Sequence, residues 1–157
     1  MPSDVLVVDP GELGELLATL FSQYGLTATC AKSGEQALEL ALRERPGAVV
    51  IEYDLHDSNG LDVAELLRDE LGAKVIITYA HHHLSGDKGD ELSERLGAVD
   101  ASFSRPFRSR TLIERVAELL GHGMDPPETS GEFVILSPGA EDEPLLLEEE
   151  VRDAASY

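Results

Sequence analysis

The sequence predicts a three-layer α/β sandwich, a doubly wound parallel sheet with helices on both faces. Three observations predict it. Wholly apolar runs such as Val5-Leu6-Val7-Val8 suit strands buried on both faces. Between such runs apolar residues recur at helical spacing, as at Leu13, Leu16, Leu17, Leu20 and Tyr24. The two patterns alternate through five strand–helix pairs, which implies parallel strands joined by crossover helices.

Taken in order, the first strand is Val5–Val8 and the first helix ends at Gly25. Residues 26–31 read as the second strand. Ser33-Gly34-Glu35-Gln36 has the form of a capping box and opens a helix through Leu38, Ala41 and Leu42. Pro46-Gly47 breaks that helix before a third strand at 48–51. A helix at 61–71, a strand at 74–78, a helix at 91–96, a strand at 101–104 and a helix at 109–120 complete the series. The stretch 81–90 reads as a loop, because Ser85-Gly86-Asp87-Lys88-Gly89 is flexible turn chemistry. The run His81-His82-His83 within it reads as solvated, since no cysteine or paired carboxylate stands at ligand spacing.

The chain has 157 residues and a formal charge of −19, the size of one domain with an appendage. Such a charge opposes direct nucleic-acid binding, because phosphate backbones are repelled. It suits a basic protein partner instead. No run approaches the roughly 20 apolar residues that span a membrane, and the N-terminus lacks signal-peptide features, so a cytoplasmic location is expected. The single Cys30 sits among apolar residues as a small hydrophobe would. A domain boundary is expected near Gly121. Residues 1–121 form the folded unit, and residues 122–157, with ten acids against one base, form an acidic Pro/Gly-rich tail. That tail is expected to be mostly disordered. Its short apolar islands, Phe133-Val134-Ile135-Leu136 and Leu145-Leu146-Leu147, are candidates for docking on a partner or on the chain's own domain. Thirty-six residues of this composition cannot build a helix-turn-helix core.

In open parallel sheets, ligand sites lie beyond the carboxyl ends of the strands. Those ends carry Asp9, Glu52, Thr78 and Arg105. Together VLVVDP, VVIEYDLHDSNG, KVIITYA and FSRPF resemble the receiver domain of bacterial two-component response regulators over residues 4–120. The resemblance implies a flavodoxin-like (βα)5 fold with strand order 2-1-3-4-5. It also implies a phosphoryl-accepting aspartate at the end of the third strand, with Mg²⁺ beside it. Counting eight residues back from Gly60 places Glu52, not an aspartate, at the acceptor position. The family's adjacent acid pair is here Asp9-Pro10, its Ser/Thr is Thr78, and its lysine is Arg105 before Pro106-Phe107. The place of the switch aromatic falls on Ser102, with Phe103 beside it. The segment 78–97 is about four residues longer than in ordinary receivers, a length change near the face that receivers use for partners.

Each departure has a physical consequence. The extra methylene of Glu52 displaces its oxygens by about an ångström, a misplacement that costs on the order of 10²-fold in rate. Pro10 removes an acid from the Mg²⁺ set, leaving Asp9 and Glu52 as weak metal candidates. Arg105 offers a forked cation where lysine offers a point charge. A Glu52–Arg105 pair, with Thr78, is therefore expected to close the site without phosphate. Asp9 has a second reading as the N-cap of the first helix, with Pro10 at the first helical position and Glu12 completing a capping box. Asp54, two residues beyond Glu52, is a lesser candidate acceptor, and Asp57 reads as solvated.

The resemblance thus implies an atypical receiver, not an enzyme, that acts without phosphorylation as a protein–protein interaction module in bacterial signalling. No cofactor is expected, and Mg²⁺ binding is expected to be weak or absent. Phe103, Phe107 and Arg108 are the expected partner face. The alternative is a phosphorelay receiver taking phosphate from a histidine kinase at Asp54 or Glu52. A metal-dependent phosphatase on the same fold is disfavoured because Asp9-Pro10 lacks the second acid.

Overall fold

The apolar run Val5–Val8 is strand β1, flanked on both sides by parallel neighbours, β2 (Ala28–Ala31) and β3 (Ala48–Glu52). In the computed structural model the described residues are 3–122, with the short strands Phe133–Ile135 and Leu145–Leu146. The alternation of side chains along a strand splits the core into two halves. Val5, Val7, Val50 and Ile76 face one layer, where helices α1 (Leu13–Gln23) and α5 (Ser109–Leu119) pack. Leu6, Val8, Val49, Ile51, Val75 and Ile77 face the other. There they meet α2 (Gly34–Glu44), α3 (Gly60–Leu71) and α4 (Gly86–Leu96). This two-sided burial is why the central strands carry no polar residue until their ends.

A two-residue hairpin, β4 (Asp54–Leu55) and β5 (Ser58–Asn59), follows β3, so the fourth and fifth strands of the main sheet are β6 (Lys74–Ala80) and β7 (Ala101–Arg105). The five-stranded sheet runs β2-β1-β3-β6-β7, all parallel. That is the predicted order 2-1-3-4-5 with the hairpin strands counted. Pairing of Ile51 with Ile77, Glu52 with Thr78, and Ala80 with Arg105 brings the polar strand ends to one edge of the sheet.

The stretch expected as a loop at 81–90 is helical instead. A 3-10 turn, His81–Leu84, runs into α4, which begins at Gly86 rather than at residue 91. Turn-forming residues fold as helix here because Gly89 must pass against the backbone of Leu84, where a Cβ would overlap the Leu84 carbonyl. The glycine that weakens intrinsic helix propensity is thus the residue that permits the packing. The second strand starts at Ala28, two residues later than expected; Leu26 is buried, but its N–H bonds to the Phe21 carbonyl at 3.0 Å.

Beyond Arg105 the short strand β8 (Phe107–Arg108) leaves the main sheet and heads a separate three-stranded sheet. Its antiparallel neighbour is β9 (Phe133–Ile135), and β9 in turn pairs with β10 (Leu145–Leu146). The expectations of a disordered tail and of its remaining segments lie outside the described residues. No helix among the described residues is long and apolar enough to cross a membrane.

Candidate functional site at the carboxyl edge of the sheet

β1 and β3 are neighbours, so the residues that close them, Asp9 and Glu52, emerge side by side. β7 lies two strands from β3, about 10 Å at ordinary strand spacing. An arginine is long enough to cross that gap over β6. Arg105 does so: its Nη2 lies 3.3 Å from Asp9 Oδ2 and makes an ion pair with Glu52 Oε2. Thr78, near the end of the intervening β6, donates its hydroxyl to the same Glu52 Oε2 at 3.1 Å. The other Glu52 oxygen accepts the Asp54 backbone N–H at 3.3 Å. All four side chains are buried, with Asp9 the most accessible at 7%.

The Arg105–Glu52 pair is thus present, but not as the two-nitrogen fork expected from the sequence. One nitrogen serves both acids, and Nη1 is buried without a hydrogen-bond partner in the described structure. Asp9 departs from its capping reading. α1 starts at Leu13 with Glu12 at the cap position and no side-chain cap. Asp9 Oδ1 instead accepts the Gly11 N–H at 2.8 Å, turning the chain locally, while Oδ2 faces Arg105. Burial pushes the Asp9 carboxyl above its ordinary range and the Glu52 charge adds to this. The Gly11 N–H and Arg105 offset it only in part.

Gly60 fixes the distance between helix α3 and the acceptor position. Its N–H donates to the Tyr53 carbonyl at 2.7 Å, and a Cβ there would overlap the Glu52 carbonyl oxygen. This close approach gives the Gly60 spacing its meaning.

Asp54 does not join the buried cluster. Its exposed carboxylate lies 4.0 Å from His83 Nε2. His83 is part of the site's rim rather than a solvated loop residue: its Nδ1 accepts the Ala80 N–H at 3.0 Å and its ring lies 5.1 Å from that of Tyr53. Burial, then the neighbouring His82, lowers its pKa. The i to i+3 spacing of Ala80 and His83 was the available signal. Asp57, expected to be solvated, holds the N-terminus of α2. Its two oxygens accept the N–H groups of Gly34 at 2.9 Å and Glu35 at 3.1 Å, which lowers its pKa. No local pattern announces that bond, because its partners lie 22 and 23 residues away.

On the expected partner face, Phe103 is half-buried, in register with Thr78, and its ring lies 5.7 Å from that of Phe107. Phe107 is 8% exposed and belongs to the core, so it offers no open surface; Arg108 is exposed.

The resemblance implies Mg²⁺ at this edge, and the side chains present do not fit it. The two available carboxylates share a guanidinium nitrogen, and Pro10 supplies no oxygen where a second acid would stand. Mg²⁺ demands a near-octahedral set of oxygens. Among the described residues, no group of three or more His, Cys, Asp and Glu side chains is arranged to hold a metal.

No protein-family model matches the chain. The polar-differentiation response regulator DivK of Brucella anthropi is 30% identical over 122 residues, which are 77% of this chain and 98% of that protein. Among solved structures, the receiver domain of the Francisella response regulator 1452 superposes with a TM-score of 0.65 at 27% identity, covering 76% of this chain and 97% of its own. A CheY-like receiver domain protein from Methanospirillum hungatei shares the fold, with a TM-score of 0.65 at 20% identity over 77% of this chain and 95% of its own. With this relative and this sheet order, the chain belongs to the response regulator receiver family of two-component signalling.

Proposed function

We propose that this receiver works without phosphorylation, as a protein–protein interaction module held in one conformation by its own cation. The observation that carries the reading is Arg105 Nη2 within ion-pair reach of both Asp9 and Glu52. A phosphorylated receiver gathers its switch around an anion and a metal. Here a fixed positive charge already satisfies the acids, and Thr78 is already turned to Glu52. The glutamate is itself the anion that the threonine and the basic residue face. Output then lies in contacts made by the folded surface, in a cytoplasmic pathway with a protein partner. In the DivK relative the 122 aligned residues make up 98% of the protein, so that response regulator is a receiver and little else.

The test is a ¹H–¹⁵N NMR titration with beryllofluoride and Mg²⁺, repeated with acetyl phosphate. The wild-type spectrum is expected to stay unchanged. A triple variant, Pro10→Asp with Glu52→Asp and Arg105→Lys, is expected to gain Mg²⁺-dependent shifts around Thr78. Mg²⁺-dependent shifts in the wild type would overturn the reading in favour of a phosphorelay receiver. Glu52→Ala and Asp54→Ala would then show which acid takes the phosphate.

A further inference from the structure

The chain leaves the main sheet at Pro106 and at once forms β8, two residues past Arg105. That short strand presents a backbone edge, and the edge is occupied. Phe107 pairs with Ile135 and Arg108 with Val134 in antiparallel register, and β9 also touches α5. Strand pairing of so few residues is marginal by itself. Charge composition is complementary to it: β8 carries the exposed Arg108, while residues 122–157 carry ten acids against one base. Glu132 directly precedes Phe133. A strand bearing an exposed arginine is therefore paired with a strand from a segment of acidic composition, at an edge where main-chain bonds supply affinity and charge supplies selectivity.

We propose that Phe107–Arg108 is a strand-addition site whose resident occupant is the chain's own Phe133–Ile135, a strap that a partner protein must displace with an extended apolar strand flanked by acidic residues. The strap regulates the partner contact proposed above, and rests on that reading only for the existence of a partner. Its position makes the control local. β8 is joined through a single residue to Arg105, so what binds at this edge clamps the backbone that carries the buried cation.

The test uses the full chain and no phosphate analogue, so its outcome is independent of the beryllofluoride titration. Val134 lies in the middle strand of the three-stranded sheet, where proline removes a ladder donor and fixes the backbone angle. In hydrogen exchange read by mass spectrometry, Val134→Pro is expected to speed exchange of residues 106–109 by about tenfold. Exchange in β1 and β3 is expected to stay at the wild-type rate, which shows the fold intact. A labelled peptide of residues 131–137 is then expected to bind the Val134→Pro chain and restore protection at 106–109. It is expected to bind the wild type at least about tenfold more weakly, as a displaced competitor must. Unchanged exchange in the variant would overturn the strap. Failure of the peptide to bind the variant, or equal binding to both chains, would overturn the strand-addition site.

Discussion

Arg105 reaches across a whole strand to hold two acids that neighbouring strands place side by side, and its burial makes the arrangement costly to break. Removing one partner of a buried pair leaves an uncompensated charge, whereas replacing the pair by apolar groups is far cheaper. Arg105→Met is therefore expected to lower unfolding free energy by about 3–5 kcal/mol in urea denaturation. Glu52→Leu combined with Arg105→Met is expected to cost less than the sum of the two single changes, by about 1 kcal/mol or more. Strict additivity would show that the pair carries no coupling. The identities at these positions were legible in the sequence, because strand ends and the Gly60 spacing point to them. The sharing of one nitrogen was not, since it depends on the separation and height of three strands.

At the scale of elements, helix α4 shows how packing overrides local preference. Ser85-Gly86-Asp87-Lys88-Gly89 has turn chemistry, yet helix begins at Gly86, and Leu92 is buried against the sheet. Gly89 meets the backbone of Leu84, which cannot rotate aside as a flexible side chain would. Gly89→Ala is expected to cost about 1–3 kcal/mol, the usual range for overpacking. Gly97→Ala serves as the control, because its Cβ would meet the Glu94 carbonyl oxygen at an ordinary 3.4 Å. Thermal melts of the two variants check this, and equal midpoints would show that the Leu84 contact is relieved at no cost. The start of α2 illustrates the same limit in a second way. Ser33 accepts the Gln36 N–H at 3.1 Å as the capping box predicts, but the Gln36 side chain accepts from Lys32 rather than from Ser33. Asp57 supplies the remaining contacts from a distant hairpin. Local pattern finds the helix, and a remote loop completes its cap.

At the scale of the whole molecule, His83, Asp57 and Asp9 are among the groups that tie global stability to pH. His83 has an ordinary value of 6.5 and a lower folded value, set first by burial and then by His82; Asp54 opposes that shift, and Arg105 adds to it. Its contribution is full above 6.5 and is lost as pH falls through the lowered folded value. Asp57 acts in the same direction below its ordinary 3.8. Asp9, whose folded value is raised, acts in the opposite one: its contribution is present below 3.8 and is lost as pH rises through the folded value. His83→Asn keeps an acceptor for the Ala80 N–H but removes the titration. Between about pH 7.5 and pH 5.5 the wild type is expected to lose stability relative to this variant in urea denaturation. Parallel curves would remove His83 from the pH response. The sequence by itself determined the alternation of five strands and helices, the two-sided core and the identity of the strand-end residues. Those follow from periodicity and spacing, which are properties of the chain, while the sheet order came from the resemblance to receivers. Only the tertiary structure decided that one arginine nitrogen serves Asp9 and Glu52, that Asp57 caps α2, and that β9 lies on β8. These are meetings of residues far apart in the chain, and the three-dimensional packing of the sheet, not local propensity, sets which of them touch.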